Sequence, residues 1–600
     1  NALLNISIGR IPFVSAAEAK TYVDKLLAYM SHKPGKTDTW KSNMLMIGEY
    51  GDQYIHTTQT ESFIDNFNYE ITPKTSDTPE IRTRNDNAVN FNKIYLEPYD
   101  NVDNLQATRE KLVEDFNVGQ NFILFVGHSN ISSLTKPTVL MNLQQAIDTK
   151  YDVPPVMYFS SCDVGRYDGG QTSFIDKLLL NPDGGIIAAV AATREAYTSL
   201  NGRLTDSFAK YLGISESDSR FYAKYEKTWG RVLMFAKNFS TDRSRNRLKY
   251  HLLGDPAMLV DIPCDRTEVT EVNGVAASKG IAIGAMTPIT IKGRVRNDAG
   301  EVYTDFNGYA KISLYDSEKY YMTQGDETLT ERGAELAVTS ADVTAGEFTA
   351  TIIAPNCITT DDKEKPLQVT AVSNDGTVVS GFYNGLTFDR SLSAVSDDTT
   401  APTINAFYIN DKSTFKDGME VESSLRLKAE VTDDVALNLS HEQIATTAYI
   451  SIDGGEHVYP VCSYQLDGAD NCIIDQGIYN LKSGRHTAEL VIADMSGNVA
   501  TRTIAFYVAV SDNATLTVDT TALIHSVTFD VENADNYTDA QLVVSDNSCN
   551  VVLRTDVGSF PYTWDGSDNN GNRLAEGNYN ATAIIDGKSL RQKKIVVVKQ

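Results

Sequence analysis

The 600-residue sequence lacks several features, and each absence excludes a class of protein. It has no run of lysines and arginines, and its formal net charge is −26. Nucleic acids and anionic membrane surfaces require a cationic footprint, so the charge argues against both as partners. No apolar run approaches the roughly 20 residues of a membrane-spanning helix. The six cysteines show no CxxC spacing, and we therefore predict no metal site.

Two further features concern the cellular compartment. Cys462 and Cys472 lie ten residues apart between strand-like segments, where they are either free or joined as a disulfide that would favour an oxidising compartment. The first residues, NALLNISIGR, lack the regions of a signal peptide. The sequence by itself is therefore compatible with an intracellular protein or with one whose leader has been removed.

The first part of the chain alternates between apolar runs and amphipathic stretches. One such stretch begins at Ser15, a plausible helix cap, and carries apolar residues from Ala19 to Met30 at helical spacing. Alternation of this kind predicts an α/β domain over residues 1–263, with a parallel sheet and flanking helices. The predicted strands are ISIG (6–9), MLMIG (44–48), KIYLE (93–97), FILFV (122–126), VMYFS (156–160) and IIAAVAA (186–192).

The pattern changes near Cys264, where the hydrophobic period falls to two and turn signals recur about every dozen residues. Such a pattern is typical of antiparallel β-sandwiches. Polar stretches at 393–402 and 510–515 divide this part further. We predict three immunoglobulin-like sandwiches, over residues 264–395, 396–511 and 512–600.

His128 and Cys162 are the candidate catalytic residues, because each follows a predicted buried strand. In open α/β sheets, ligands bind beyond the carboxyl ends of the strands. If the two strands are neighbours, the imidazole can activate the thiol as a nucleophile. A histidine at a strand end is more often structural, and a free cysteine is often a small core residue. The polar neighbours of Cys162 count against a core position.

Several motifs resemble the gingipain-like cysteine peptidases, whose core is a caspase-like α/β fold. The resemblance is closest to one branch, the PorU-type sortases of the type IX secretion system, and it extends over nearly the whole chain. The motifs are ISIGRIP (6–12), SAAEAKTYVDKLLAY (15–29), GH (127–128), SSCDVGRYD (160–168), LLNPDGGIIAAVAATR (179–194), LLGDPAM (252–258), TTAPTINAFYINDKS (399–413), LKSGRHTAELVIADMSGNVA (481–500) and PYTWDGSDNNGNRLAEGNY (561–579).

The resemblance implies roles for individual residues. Cys162 matches the nucleophile and His128 the base, while Glu49 matches an acidic residue that orients the imidazole, with Asp52 as a competitor. The backbone N–H groups of Ser129 and Cys162 match the oxyanion donors.

Two points near these residues stay open. The family usually has Gly-His-Gly-Gly-Glu, whereas this chain has glycine, histidine, serine, asparagine and isoleucine at 127–131. A serine pays for any positive φ that glycine adopts freely, so Ser129→Gly is expected to be neutral or faster. Asp163, Arg166 and Asp168 are candidates for substrate binding, although Arg166 and Asp168 fit a local surface ion pair equally well.

The resemblance also implies an activity. It implies removal of C-terminal secretion signals from exported cargo through a thioester on Cys162, followed by transfer to a lipopolysaccharide amine or to water. No redox or organic cofactor is implied. The implied partners are the signal domains of the cargo and an outer-membrane β-barrel protein, with the enzyme attached peripherally at the cell surface.

Two other functions are compatible with the same sequence. One is an inactive surface scaffold or adhesin, since more than half of the chain is predicted sandwich. The other is a general secreted gingipain-like protease. We also expect a further α/β half upstream, because the family has one and because a sheet that begins at NALLNISIGRIP would expose an edge strand.

Overall fold

The structure is a computed structural model. It describes the chain except residues 1–2, 33–34, 73–80, 85–87, 97–110, 113–114, 117, 136–139, 143–151, 171, 215–225, 298, 323–327, 441–447, 456, 459–463, 480, 511–513, 533, 535–536, 591–592 and 598–600. The first part is an α/β domain, and sandwiches of β-strands follow it. The predicted fold class, an α/β domain followed by β-sandwiches, is therefore confirmed, and the predicted domain bounds stay predictions.

The α/β domain contains helices of ordinary length. The helix predicted after Ser15 is present, and the Ser15 hydroxyl accepts a hydrogen bond from the Glu18 N–H. Its burial differs from the prediction, because Tyr22 and Lys25 are buried while Leu27 and Met30 are exposed. The helices with defined bounds are α1 (Ala16–Met30), α2 (Ile55–Asn68), α3 (Phe174–Leu180), α4 (Thr198–Gly213) and α5 (Trp229–Phe239), with 3-10 turns at Lys36–Ser42, Asp52–Tyr54 and Asn246–Leu248.

A seven-stranded sheet forms the centre of this domain, in the order β1-β12-β11-β10-β6-β2-β5. Five neighbouring strands are parallel, whereas β12 runs antiparallel to β11 and β1 parallel to β12. The strands are β1 (Gly9–Arg10), β2 (Asn43–Gly48), β3 (Tyr69–Thr72), β4 (Ile81–Arg84), β5 (Asn90–Tyr95), β6 (Phe122–Val126), β7 (Ser129–Asn130), β8 (Ser133–Leu134), β9 (Met141–Asn142), β10 (Val156–Ser160), β11 (Ala188–Ala192) and β12 (Tyr250–Leu253).

The predicted strands agree best with the structure at the centre of the sheet. Strands β6 and β10 have the predicted bounds, and β2, β5 and β11 are shifted by one to three residues at their ends. The predicted strand at 6–9 is wrong except at its last residue, and β12 was not predicted. Its sequence, YHLL, is too short to show a period.

Both faces of the sheet are buried, which explains the continuous apolar runs. Residues of α2, α4 and α5 form one core against the sheet, with Phe122 stacked between Phe63 and Trp229. Residues of α1 and α3 form the core on the opposite face, with Tyr22 and Phe174 buried in it. The sheet therefore holds the loops at its strand ends on a rigid base.

Lys25 is a buried cation at the end of α3. Its Nζ donates to the carbonyl oxygens of Leu178 (3.2 Å) and Asn181 (2.9 Å) at the carboxyl end of the helix. Burial lowers the pKa of Lys25 to about 7, while the negative charge of Asp183 acts in the opposite direction. The free-energy cost of burying the Lys25 side chain therefore depends on pH.

We expect the stability of this domain to rise between pH 7 and pH 9. The unfolded chain, with a lysine pKa of about 10.4, binds more protons than the folded chain over this range, which contributes about 2 kcal/mol. Scanning calorimetry of the full chain measures this, and Lys25→Met should remove the pH dependence. Lys20→Met is the matched control, because Lys20 is exposed on the same helix and pairs with Asp24. If the stability of wild type and of Lys25→Met rises equally with pH, the interpretation is contradicted.

The first sandwich packs a sheet with the order β13-β24-β23-β18-β21 on a sheet with the order β15-β14-β17-β22, around a single apolar core. Its strands are β13 (Cys264–Asp265), β14 (Thr267–Val272), β15 (Val275–Ala276), β16 (Ile281–Ile283), β17 (Pro288–Val295), β18 (Gly308–Tyr315), β19 (Lys319–Met322), β20 (Thr328–Glu331), β21 (Glu335–Val343), β22 (Glu347–Ile353), β23 (Lys365–Ser373) and β24 (Val378–Phe388).

The second sandwich packs the order β25-β27-β31-β30 on the order β26-β33-β32-β28-β29. Cys472 on β31 is a free thiol in its core, and burial raises its pKa to about 12; Cys462 lies outside the described residues. The strands are β25 (Thr403–Ile409), β26 (Glu420–Val421), β27 (Leu425–Thr432), β28 (Tyr449–Ile452), β29 (His457–Val458), β30 (Tyr464–Leu466), β31 (Asn471–Ile478), β32 (Gly484–Ala493) and β33 (Val499–Val508).

The third sandwich packs the order β34-β36-β39 on the order β35-β42-β40-β37-β38. In the described part of the chain, no helix is both long and apolar enough to span a membrane. The strands are β34 (Thr515–Val518), β35 (Ala522–Leu523), β36 (Val527–Glu532), β37 (Ala540–Asp546), β38 (Val551–Asp556), β39 (Tyr562–Trp564), β40 (Gly577–Ile585), β41 (Lys588–Ser589) and β42 (Lys593–Val597).

Candidate active site

His128 and Cys162 follow two neighbouring parallel strands at the same level. Val126, the last residue of β6, is paired with Ser160, the last residue of β10. Each candidate lies two residues beyond its strand, and adjacent strands are about 4.8 Å apart. The fold therefore brings the two residues side by side at the carboxyl edge of the sheet. The structure describes both side chains, and no hydrogen bond joins them: His128 contacts Asp52, and Cys162 contacts Ala196.

The imidazole of His128 is oriented by Asp52. Its Nε2 lies 2.9 Å from Asp52 Oδ2, and both side chains are about half exposed. When Nε2 donates to this carboxylate, Nδ1 carries the lone pair that can accept a proton from a thiol. Asp52 begins the 3-10 turn that precedes α2 and has a φ of 48°, in the left-handed region that aspartate tolerates better than most residues.

Glu49 contacts the main chain of His128, and the role expected for it in orienting the imidazole stays a prediction. Its carboxylate is fully buried and accepts a hydrogen bond from the backbone N–H of His128. Glu49 directly follows β2, which lies next to β6, and its side chain fills the space beside Gly127. It therefore supports the main chain that carries His128, and the competitor Asp52 contacts the ring.

The thiol of Cys162 is held by the loop that follows β11. Its Sγ donates to the carbonyl oxygen of Ala196 (3.1 Å) and accepts from the N–H of the same residue (3.3 Å). Cys162 is half-buried and free. Since Ala196 has no functional side chain, no sequence motif could have indicated this contact.

Ser129 connects the two loops that carry the catalytic candidates. Its hydroxyl hydrogen bonds to Ser161 Oγ (2.7 Å) and to the carbonyl oxygen of Cys162. Ser129 is buried and has no positive φ, so the conformational cost expected for a serine here is not present. Its role as a backbone oxyanion donor, together with that of Cys162, stays a prediction.

The three substrate-binding candidates follow Cys162 closely in the sequence, and each contacts another residue. Asp163 has a φ of 52°, and its N–H donates to the carbonyl oxygen of Arg194 (3.3 Å). Asp168 accepts two hydrogen bonds from the Arg194 guanidinium, which holds the pKa of the Asp168 carboxyl below its usual value. Arg166 lies 3.7 Å from the same carboxylate. Asp168 thus belongs to a surface ion pair, with Arg194 as a partner that the sequence did not indicate.

Gly127→Ala is expected to reduce activity strongly and stability moderately. An added Cβ would overlap the Glu49 carboxylate and lie 2.6 Å from Glu49 Cβ. Overpacking of this kind costs about 1–3 kcal/mol, and here it would displace the segment that carries His128. Thermal unfolding and peptidase assays measure the two effects. Gly170→Ala is the matched control, because its positive φ disfavours alanine while no atom lies within 4 Å of the added Cβ.

The structure changes the expectation for Ser129→Gly. The variant removes the hydroxyl that bridges the loops of His128 and Cys162 without relieving any backbone strain. We therefore expect slower turnover, with Ser129→Thr closer to wild type because it keeps the hydroxyl. Turnover of Ser129→Gly equal to or above wild type would show that the bridge has no catalytic role.

Comparison with known proteins gives a family for the first domain. Residues 1–261 match Peptidase family C25, and residues 511–586 match the FlgD Ig-like domain. No curated protein matches the chain.

Several solved structures are similar to the chain. Dimeric latent PorU from Porphyromonas gingivalis is 20% identical with a TM-score of 0.28, over 70% of this chain and 41% of that one. The Arg-specific cysteine proteinase gingipain R is 18% identical with a TM-score of 0.33, over 64% and 75%. The complex of Porphyromonas gingivalis RgpB pro- and mature domains gives the same identity and TM-score, over 64% and 77%.

The structure places a cysteine and a histidine after adjacent parallel strands, and the family that residues 1–261 match is a peptidase family. Residues 1–261, which match this family, form a gingipain-like domain. An Ig-like domain stands at the other end of the chain.

Proposed function

We propose that this protein is a cysteine endopeptidase in which Cys162 is the nucleophile and His128 the base. The observation that carries the proposal is the register of β6 and β10, which places both residues at one edge of the sheet. This edge is also where the strand order reverses around β2, the place where open α/β sheets bind ligands. The exposed fraction of the His128 side chain, 42%, leaves it accessible to a peptide.

The reaction follows from these contacts. The Cys162 thiol leaves Ala196 and passes its proton to His128 Nδ1, while Asp52 holds Nε2. The sulfur attacks the scissile carbonyl carbon, and the tetrahedral oxygen is stabilised by the backbone N–H groups of Ser129 and Cys162. The imidazolium then protonates the leaving amine, and a thioester on Cys162 remains. An amine or water attacks the thioester and releases the thiol.

We further propose that the substrates are exported proteins with a C-terminal secretion signal, as in the PorU-type sortases that the sequence resembles. The acceptor is then an amine of lipopolysaccharide or water, and the enzyme works at the cell surface beside an outer-membrane β-barrel partner. The family match over residues 1–261 supports the peptidase chemistry on which this proposal rests. Transfer, partners and location come from the resemblance.

Incubation with two peptides tests the proposal. One peptide spans a junction between cargo and signal domain, the other is a generic arginine peptide, and both are supplied with an excess of a primary amine. A sortase cleaves only the junction peptide and forms an amide with the amine, which mass spectrometry detects. Cleavage of the arginine peptide by hydrolysis alone would instead indicate a general protease. Cleavage of neither, with no covalent adduct on Cys162, would indicate a scaffold.

A further inference from the structure

A second histidine lies beside the candidate base without any role in the reaction above. His56 is on the first turn of α2 and is 1% exposed, and its ring meets the His128 ring edge-on with centroids 5.2 Å apart. Neither of its ring nitrogens has a hydrogen-bond partner. Because buried polar atoms are normally paired, this ring requires an explanation.

Asp52 lies between the two histidines. Its Oδ2 is 2.9 Å from His128 Nε2 and 3.5 Å from His56 Nε2. One ligand atom from each of the three residues lies within 4.8 Å of the others. A tetrahedral ion with ligand distances of about 2.0–2.1 Å places its ligand atoms about 3.3 Å apart, which is between the two measured distances.

We propose that Asp52, His56 and His128 bind a divalent transition-metal ion, best Zn²⁺, and that the bound ion inhibits the peptidase by occupying His128. Two imidazoles and one carboxylate form a donor set that suits Zn²⁺, and three protein ligands leave a fourth position for water. Inhibition rests on the proposed function, whereas binding does not.

Metal binding would give His56 Nε2, a buried atom with no hydrogen-bond partner, a bond to the ion.

Inhibition follows from the shared use of two side chains. The ion takes His128 Nε2 and Asp52, the pair that fixes the imidazole for catalysis. With the metal on Nε2, the neutral imidazole carries its proton on Nδ1, and this nitrogen can no longer accept the proton of the Cys162 thiol. Removal of the ion by a chelator restores the original contact, so the inhibition is reversible.

The prediction of no metal site was based on the spacing of the cysteines, and this site contains no cysteine. Asp52 and His56 have the i, i+4 spacing of a helix face, which is a weak signal on its own. The third ligand is 72 residues further along the chain, and only the pairing of β2 with β6 brings it close. The cluster is thus a product of the sheet topology.

Titration of Zn²⁺ into the full chain, followed by calorimetry, tests the site. His56→Gln should weaken binding by more than about a hundredfold, because even outer-shell changes at metal sites cost 10–100-fold. His32→Gln is the matched control, since His32 forms a two-residue pair with Asp38 at 2.7 Å and should bind Zn²⁺ as wild type does. Exposed thiols such as Cys264 and Cys549 are present in all variants and cancel in the comparison.

The outcomes separate the two proposals. Equal Zn²⁺ affinity in wild type and His56→Gln would overturn the site, and so would a Co²⁺-loaded protein without the visible spectrum of tetrahedral nitrogen and oxygen ligation. If His56→Gln does not fold, Asp52→Asn gives the same comparison. If the protein binds Zn²⁺ but cleaves no peptide, the metal site is supported and the proposed function is contradicted. If the protein cleaves peptides equally well with Zn²⁺ bound, the proposed inhibition is contradicted.

Discussion

Replacing Cys162 with alanine is expected to abolish peptide cleavage and covalent labelling while leaving the fold intact. Loss of the nucleophile in covalent catalysis costs at least about a thousandfold in rate. The thiol is half-buried, and its contacts are two weak hydrogen bonds to Ala196, so its contribution to stability is small. Turnover of a junction peptide and labelling by a peptide electrophile measure the first effect, and thermal unfolding measures the second.

Cys549→Ala is the matched control for this experiment. Cys549 is a free thiol in the last sandwich and is exposed, so a non-selective reagent reaches it readily. A peptide electrophile that binds the cleft should label Cys162 alone, and labelling should be the same in Cys549→Ala as in wild type. Cleavage that survives in Cys162→Ala would show that another residue is the nucleophile.

Asp52→Asn is expected to lower the turnover number by about a hundredfold to ten-thousandfold, as when the carboxylate of a catalytic triad is replaced. The amide can present its N–H to His128 Nε2, which then becomes the acceptor and leaves the proton on Nδ1, the nitrogen needed for the thiol. Asparagine tolerates the left-handed conformation of residue 52, so the backbone is preserved. Because Asp52 acts through His128, KM should change little while kcat falls.

Glu49→Gln is the comparison that tests the assignment of Asp52. A glutamine oxygen can still accept the N–H of His128, so kcat should fall less than in Asp52→Asn. Because the Glu49 side chain is buried, the main effect of Glu49→Gln should be a lower melting temperature of the protein. If Glu49→Gln slows turnover more than Asp52→Asn does, then Glu49 and not Asp52 determines the state of the imidazole.

The sequence predicted the centre of the α/β domain better than its edges, for a physical reason. Strands β6 and β10 are buried on both faces, so their apolar runs are continuous and end sharply where polar residues begin. The side-by-side placement of His128 and Cys162 followed from those ends. By contrast, β1 has two residues at the sheet edge and lacks a pattern to recognise.

The choice between Glu49 and Asp52 could not be made from the sequence. Both carboxylates follow β2 within four residues, and either chain length suffices to reach an imidazole. The backbone conformation determines that Asp52 reaches the imidazole. Gly51, Asp52 and the two following residues adopt positive φ, and this turns Asp52 towards His128. A glycine at 127 then leaves room for Glu49 beneath the main chain. Local patterns contain neither of these conditions.

The contact between Cys162 and Ala196 has a consequence for the protein's behaviour in oxidising surroundings. A sulfur that donates its hydrogen to a carbonyl oxygen is the protonated form, whereas peroxides attack the thiolate. While the hydrogen bond to the Ala196 carbonyl oxygen is formed, the sulfur is a thiol and is protected from oxidation to sulfenic and sulfinic acids. A peptide that draws the thiol away from Ala196 removes this protection, so oxidative damage should follow the amount of substrate processed more than the time of exposure.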